Sequence, residues 1–334
     1  MNKRMLAVVL CVTSVGARAA EVVNHPTGKA GIFMADKRGL KLLFFNATTF
    51  EQESSVDVPV NPHDFALSAD HKRAYVTLYG DGVYGKNPHP GHQVLVVDLV
   101  AQKIIDTIDV APWRGPHGIQ IDSKGMLYVT SDMDQKILVI DPKTKQIVSA
   151  INSGGNDHWA TLLPNASHAY TSNKMDGTYI SVVDLHTKTM TKIAQPDGMQ
   201  GIATSPDGKT VVVANASKPR LEVVSTASNT VVSEIDLKDA KQAAFKPEYS
   251  PDGKWIAVVS QHDQVTLIHA NDLQGPQTVI AVGKGPQSAA FSQDGKTMLV
   301  CNHDGGTVSV IDLTKMEVVK TFNAGTGVET LSYF

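Results

Sequence analysis

Three histidines stand at the same place in a recurring pattern: His63 in NPHDFALS, His117 in GPHGIQID and His158 in NDHWATLL. Each follows a turn and opens a short apolar run. Neutral imidazole is the commonest metal-binding side chain, and it suits zinc, copper, iron and nickel. A zinc ion needs ligand atoms about 2.0–2.1 Å away. Imidazoles at one level of neighbouring strands are therefore the leading candidates for a copper or zinc site, with His303 and His262 next. Asp64, Asp157 and Asp304 lie close in sequence and are candidates to orient imidazole rings. Without a metal, the same residues suit proton transfer near neutral pH. The plain alternative is a hydrophilic lip with no chemistry.

Other residues share the position. Gln200 and Gln287 occupy it in GMQGIATS and GPQSAAFS. Counting gives Phe245 in KPEYS's irregular neighbourhood, where Glu248 is the alternative inward residue. The ends of the following strands carry Asp36 and Lys37, Asp132, Asn173 and Lys174, Gln261 and His262, and Asn302 and His303. A longer connection, YGDGVYGKNPHPGHQ at 79–93, adds His89 and His92. Seven of the 12 histidines map to one end of the expected molecule, and the remaining five read as surface or structural. Trp159 is expected to pack, Trp113 to wall a pocket, and Tyr79 and Tyr84 to cover it. Cys301 reads as a small buried residue, with thiolate ligation as the sharper alternative. The sequence holds no G-x-S-x-G, H-E-x-x-H or phosphate-binding glycine loop, so no catalytic residue and no nucleotide cofactor is assigned.

The elements that position these residues repeat. SPDGKTVVVAN, SPDGKWIAVVSQ and SQDGKTMLVCN are clear copies, preceded by weaker ones at 68, 121 and 163. Asp-Gly between alternating apolar runs signals a hairpin. Each copy continues into a VID-like strand and then a more polar one. Four strands per period of about 42 residues describe a β-propeller blade. Six copies are whole. GIFMADKRG, LKLLFFNATT and EQESSVDVPV supply three strands of a seventh, and GTGVETLSYF supplies its innermost strand. The expected fold is all-β: a seven-bladed β-propeller with four antiparallel strands per blade, closed by N- and C-terminal strands sharing one blade. Closure leaves no free edge to aggregate.

The Y-V-T-L (75–78), Y-V-T-S (128–131) and V-V-A-N (212–215) segments, with the S-P-D-G turns and V-x-V-I-D strands, resemble the YVTN-repeat, YncE-like propellers. The resemblance spans nearly all of the chain past residue 20. It speaks to fold, because the repeat encodes blades and not chemistry. Some propellers of this kind open lactones or cyclic esters in a central cavity, which makes a lactonase-like hydrolase, a lyase or a metal-dependent oxidoreductase the expected enzyme classes.

Residues 1–19 run from basic MNKR through an apolar stretch to ARA, the layout of a cleaved signal peptide. The expected domains are this leader and one propeller at 20–334, exported to the periplasm or beyond. Removing the leader moves the formal net charge from −3 to about −6. That excludes the basic footprint of a nucleic-acid binder. The apolar run is too short to span a membrane stably. Removal also leaves Cys301 as the one thiol, so no internal disulfide is expected. The expected molecule is a monomer that holds a metal ion or small ligand at the funnel mouth. The alternative is a non-catalytic scaffold meeting a periplasmic protein partner. Replacing His117 by Ala is expected to leave the fold intact, on the view that blade packing does not use that ring.

Overall fold

The structure, a computed structural model, describes residues 31–334 except 84, 85, 156, 176 and 261. Seven four-stranded antiparallel sheets are present among them. One sheet is built from both ends of the chain: Val328–Tyr333 pairs with Gly31–Asp36, which pairs onward with Lys41–Asn46 and then Gln52–Asp57. The remaining six follow chain order, as the repeat requires. Among the described residues a single short 3-10 turn, His303–Gly305, interrupts the strands.

The alternation of side chains explains the layering. Second and third strands of each blade are buried on both faces, as in Tyr75–Leu78 and Val94–Val97. They read as near-continuous apolar runs. Fourth strands alternate, as in Gln146–Asn152, because one face meets water. Phe33, Phe44 and Phe65 join blade one to blade two with ring centroids 4.8–5.1 Å apart. No helix among the described residues is long and apolar enough to cross a membrane.

The innermost strands are Pro62–Leu67, Pro116–Ile121, Asp157–Leu162, Met199–Thr204, Ala244–Tyr249, Pro286–Phe291 and Val328–Tyr333. Every one shifts register against its neighbour near its start. A bulge places extra residues opposite one partner and re-aims their side chains. The bulges fall at His63, His117, His158, Gln200, Phe245, Gln287 and Glu329. The repeat position that carries the histidines is thus the bulge itself.

A buried hydroxyl on the second strand ties down several bulges. Thr77 accepts the Asp64 N–H at 3.1 Å, Thr130 the Gly118 N–H at 2.9 Å, and Ser172 the Trp159 N–H at 3.3 Å. Cys301 does the same in blade seven, its Sγ accepting from Ser288 N–H at 3.2 Å. Backbone closeness sets one further limit. A Cβ added at Gly201 would lie 2.5 Å from the Phe245 carbonyl oxygen, so only glycine fits beside Gln200.

Candidate functional site

The bulges bring three predicted histidines into one row. The His63 and His117 ring centroids are 3.8 Å apart, and those of His117 and His158 are 4.7 Å apart. Trp159 packs on His158 at 3.9 Å. Tyr79 stands edge-on to His117 at 5.0 Å, and its hydroxyl donates to Asp132 at 2.7 Å. The row is not an open lip: His63, His117 and His158 are 3%, 1% and 4% exposed. Packing therefore does use the His117 ring, contrary to the expectation above.

Hydrogen bonding fixes the protonation of His63. Its Nε2 lies 3.0 Å from Glu329 Oε1. An ionised carboxylate only accepts, so Nε2 carries the hydrogen. Nδ1 is buried with no hydrogen-bond partner, and a second proton there would be an unpaired buried N–H. Burial is the main reason that the His63 pKa lies below its usual value. His117 and His158 are pushed further down, chiefly by burial. His117 also feels the neighbouring histidines, and His158 feels Lys174 and then His63. All three rings are neutral at pH 7.

Glu329 is the ring residue that sequence reasoning missed. Burial opposes its charge, but the Lys37 ammonium and the hydrogen bond from His63 outweigh this and hold the carboxyl well below the usual range. Lys37 Nζ lies 3.0 Å from its other oxygen. The signal was present: G-V-E near the C-terminus aligns with G-P-H and G-P-Q, but the closing strand has no S-P-D-G turn after it to set the count.

The other candidates disperse. His303 is 7% exposed and donates from Nδ1 to the Val328 carbonyl at 3.2 Å. His262 is exposed, and no contact joins it to the row among the described residues. His89 and His92 are exposed, with His89 paired to Asp81 at 2.7 Å. Asp157 accepts from Thr171, and Asp304 pairs with Arg38. Asp64 accepts from Ile119 N–H and Thr330. Trp113 packs against the core between blades two and three. Tyr84 and Gln261 lie outside the described residues. No group of three or more His, Cys, Asp and Glu side chains among the described residues is arranged to hold a metal ion. The imidazoles lie against one another, and the one His63 nitrogen that meets a neighbour is committed to Glu329. The geometry gives the metal reading no support.

Room for a ligand lies on the other side of the row. An axial cavity of about 490 Å³ begins at Asp64, Trp159 and Lys246 and runs to the turns at Pro164, Pro206 and Pro251. It opens at the face opposite the one that the histidine pattern favoured. Lys246 and Glu248 project into it together, because residues two apart on a strand share a face. The Lys246 ammonium sits 5.3 Å from the Trp159 ring and 3.9 Å from Asp64. Burial raises the Glu248 carboxyl to about 7, with Lys246 opposing and Asp64 adding. No hydrogen bond holds that carboxyl among the described residues. An accessible carboxyl that changes charge near pH 7, two residues from an ammonium group, can accept and return a proton.

The sequence profile of a family described as "Lactonase, 7-bladed beta-propeller" matches residues 126–330. No curated protein matches the sequence. Among solved structures, the chain is similar to the Pseudomonas aeruginosa periplasmic gluconolactonase PpgL, with 15% identity, TM-score 0.74, and 92% of this chain and 99% of that chain covered. It is similar to a functionally unknown protein from Desulfotomaculum acetoxidans DSM 771, with 13% identity, TM-score 0.73, and 90% and 99% covered. It is similar also to the Kuenenia stuttgartiensis hydrazine synthase, with 20% identity, TM-score 0.65, and 80% and 87% covered. At such identities the likeness is one of fold.

Proposed function

The chain belongs to the lactonase family of seven-bladed β-propellers, and on that premise we propose that it is a lactonase-like hydrolase working in the axial cavity. The observation that carries this reading is Glu248: a free carboxyl, raised to about 7 by burial, in a cavity large enough for a small cyclic ester. In this reading the lactone carbonyl oxygen lies toward Lys246. The Glu248 carboxylate takes a proton from water as the water oxygen bonds to the carbonyl carbon. Lys246 stabilises the oxyanion that forms. Collapse breaks the bond between acyl carbon and ring oxygen, and the departing oxygen recovers the proton from Glu248. The product is the open hydroxy acid. The histidine row packs against Trp159, which lines the cavity. The basic, apolar and small-residue leader supports export as the setting for this activity; residues 1–30 lie outside those described.

The test is ring opening of a lactone panel followed by pH-stat. The parent's kcat/KM rises with pH through about 7, because the base must be ionised. Glu248→Gln lowers kcat about 10²–10⁴-fold and flattens the profile. Failure to open any small lactone, or a Glu248→Gln enzyme with the parent's rate and profile, overturns the proposal.

A further inference from the structure

Among the described residues, the formal charges that line the axial cavity are those of Asp64, Lys246 and Glu248. The repeat explains their placing. Asp64 and Lys246 each directly follow a bulge residue, at one level of the funnel, where blades three and five carry Gly118 and Gly201. Glu248 stands two residues beyond Lys246, and its counterparts in the flanking blades are Ala203 and Ala290. Such small neighbours leave room beside its carboxyl.

The Lys246 charge is already engaged. Its Nζ lies 3.9 Å from Asp64 Oδ1 and 5.3 Å from the centre of the Trp159 ring, so it meets both an anion and a π face. The Asp64 carboxylate is braced from two further blades. Its Oδ2 accepts from the Ile119 N–H and its Oδ1 from the Thr330 hydroxyl, each at 3.4 Å. The Asp64 and Lys246 side chains are 7% and 15% exposed, so salt and water screen the pair poorly. Together they sum to zero. What remains is Glu248, and no arginine or histidine lines the cavity among the described residues to offset it.

We propose that Asp64 is a specificity-determining residue: by neutralising Lys246 it makes the cavity a site for uncharged lactones and bars those that carry a carboxylate or another anionic group. This inference rests on the hydrolase reading and names its substrate class. A fixed anion on the ligand meets Glu248 with no spare cation to receive it, and like charges brought together cost affinity. The transient oxyanion differs, because it forms beside Lys246, whose ammonium has three N–H donors and keeps one for it. Ring opening turns a neutral substrate into a hydroxy acid that ionises at neutral pH. The charges that admit the first therefore expel the second.

Two lactam analogues that do not open test this: pyrrolidinone, which is uncharged, and pyroglutamate, the same ring with a carboxylate. Binding to the full chain is read by nuclear magnetic resonance from the Trp159 indole N–H, one of only three such signals in the chain. The titration is run at pH 8, above the Glu248 value of about 7. The parent is expected to bind pyrrolidinone about tenfold or more tightly than pyroglutamate. Asp64→Asn releases Lys246 and removes most of that preference, and Asp64→Glu restores it. Glu248→Gln, at a carboxyl that holds no structural hydrogen bond among the described residues, also narrows it. The proposal is overturned if the parent binds both analogues equally or binds neither. It is overturned too if a folded Asp64→Asn or Glu248→Gln variant, judged by its melting curve, keeps the parent's preference. Should the analogues discriminate as expected while no lactone is opened, the hydrolase reading alone fails and the charge selectivity of the cavity stands.

Discussion

Removing the Glu329 carboxylate isolates two buried groups at once. Glu329→Ala leaves the Lys37 ammonium, whose side chain is 16% exposed, without its partner, and strands the His63 Nε2–H, whose side chain is 3% exposed. Breaking one side of a buried pair costs about 3–5 kcal/mol, most of it the price of the charge left behind. The unfolding entropy of a domain of roughly 300 residues is about 0.6 kcal/mol per degree. The expected fall in Tm is therefore about 5–8 °C, read by calorimetry or circular dichroism. Glu329→Gln should fall less, since its amide oxygen still accepts from His63. Removing both charges with Glu329→Leu and Lys37→Met should recover most of the loss, because a well-packed apolar pair replaces a buried ion pair at little cost. A single Ala variant melting within about 1 °C of the parent would refute the reasoning. So would a double variant less stable than the single.

Three further outcomes follow from the same packing. Asp132 binds a proton more tightly when folded, its carboxyl being raised from 3.8 to about 7, so it lowers stability as pH rises between those values. Asp132→Asn cannot ionise and can still accept from Tyr79, so it should melt above the parent at pH 8, with the gain fading toward pH 4 in a melting series. His117→Ala should fold but melt about 3 °C lower, reflecting about 2 kcal/mol for the gap left between His63, His158 and Tyr79. Cys301→Ser should cost under about 1.5 kcal/mol in a denaturant titration, because serine and threonine already hold the bulges of blades two to four.

The blades were legible because each strand's burial imposes its own period: apolar runs for buried strands, alternation for outer ones, Asp-Gly where a hairpin turns. The split blade was legible because its two halves complement each other. The shared register of His63, His117 and His158 also survived, since one bulge recurs in every inner strand. What the sequence hid is depth. Register says that a side chain points to the axis but not how far neighbouring rings fill it, and the three imidazoles lie buried in contact with one another. Glu248 was marked as an inward alternative to Phe245; in fact both point inward at different levels, Phe245 at the bulge against Trp159 and Glu248 in the cavity. Glu329 escaped because its strand is the one copy with no following turn.

The blade shared by both ends also has a consequence in time. Asp36 waits for Thr326 and Gly327, which come 290 and 291 positions later, to donate their N–H groups. While a ribosome is still working through the intervening blades, Gly31–Asp36 presents an unpaired flank, and His63 has no carboxylate to meet. Pairing across so long a separation is slow to find. A growing chain is thus an open spring whose first coil stays exposed until the far end arrives, and chaperone occupancy should drop abruptly once residues 328–333 emerge.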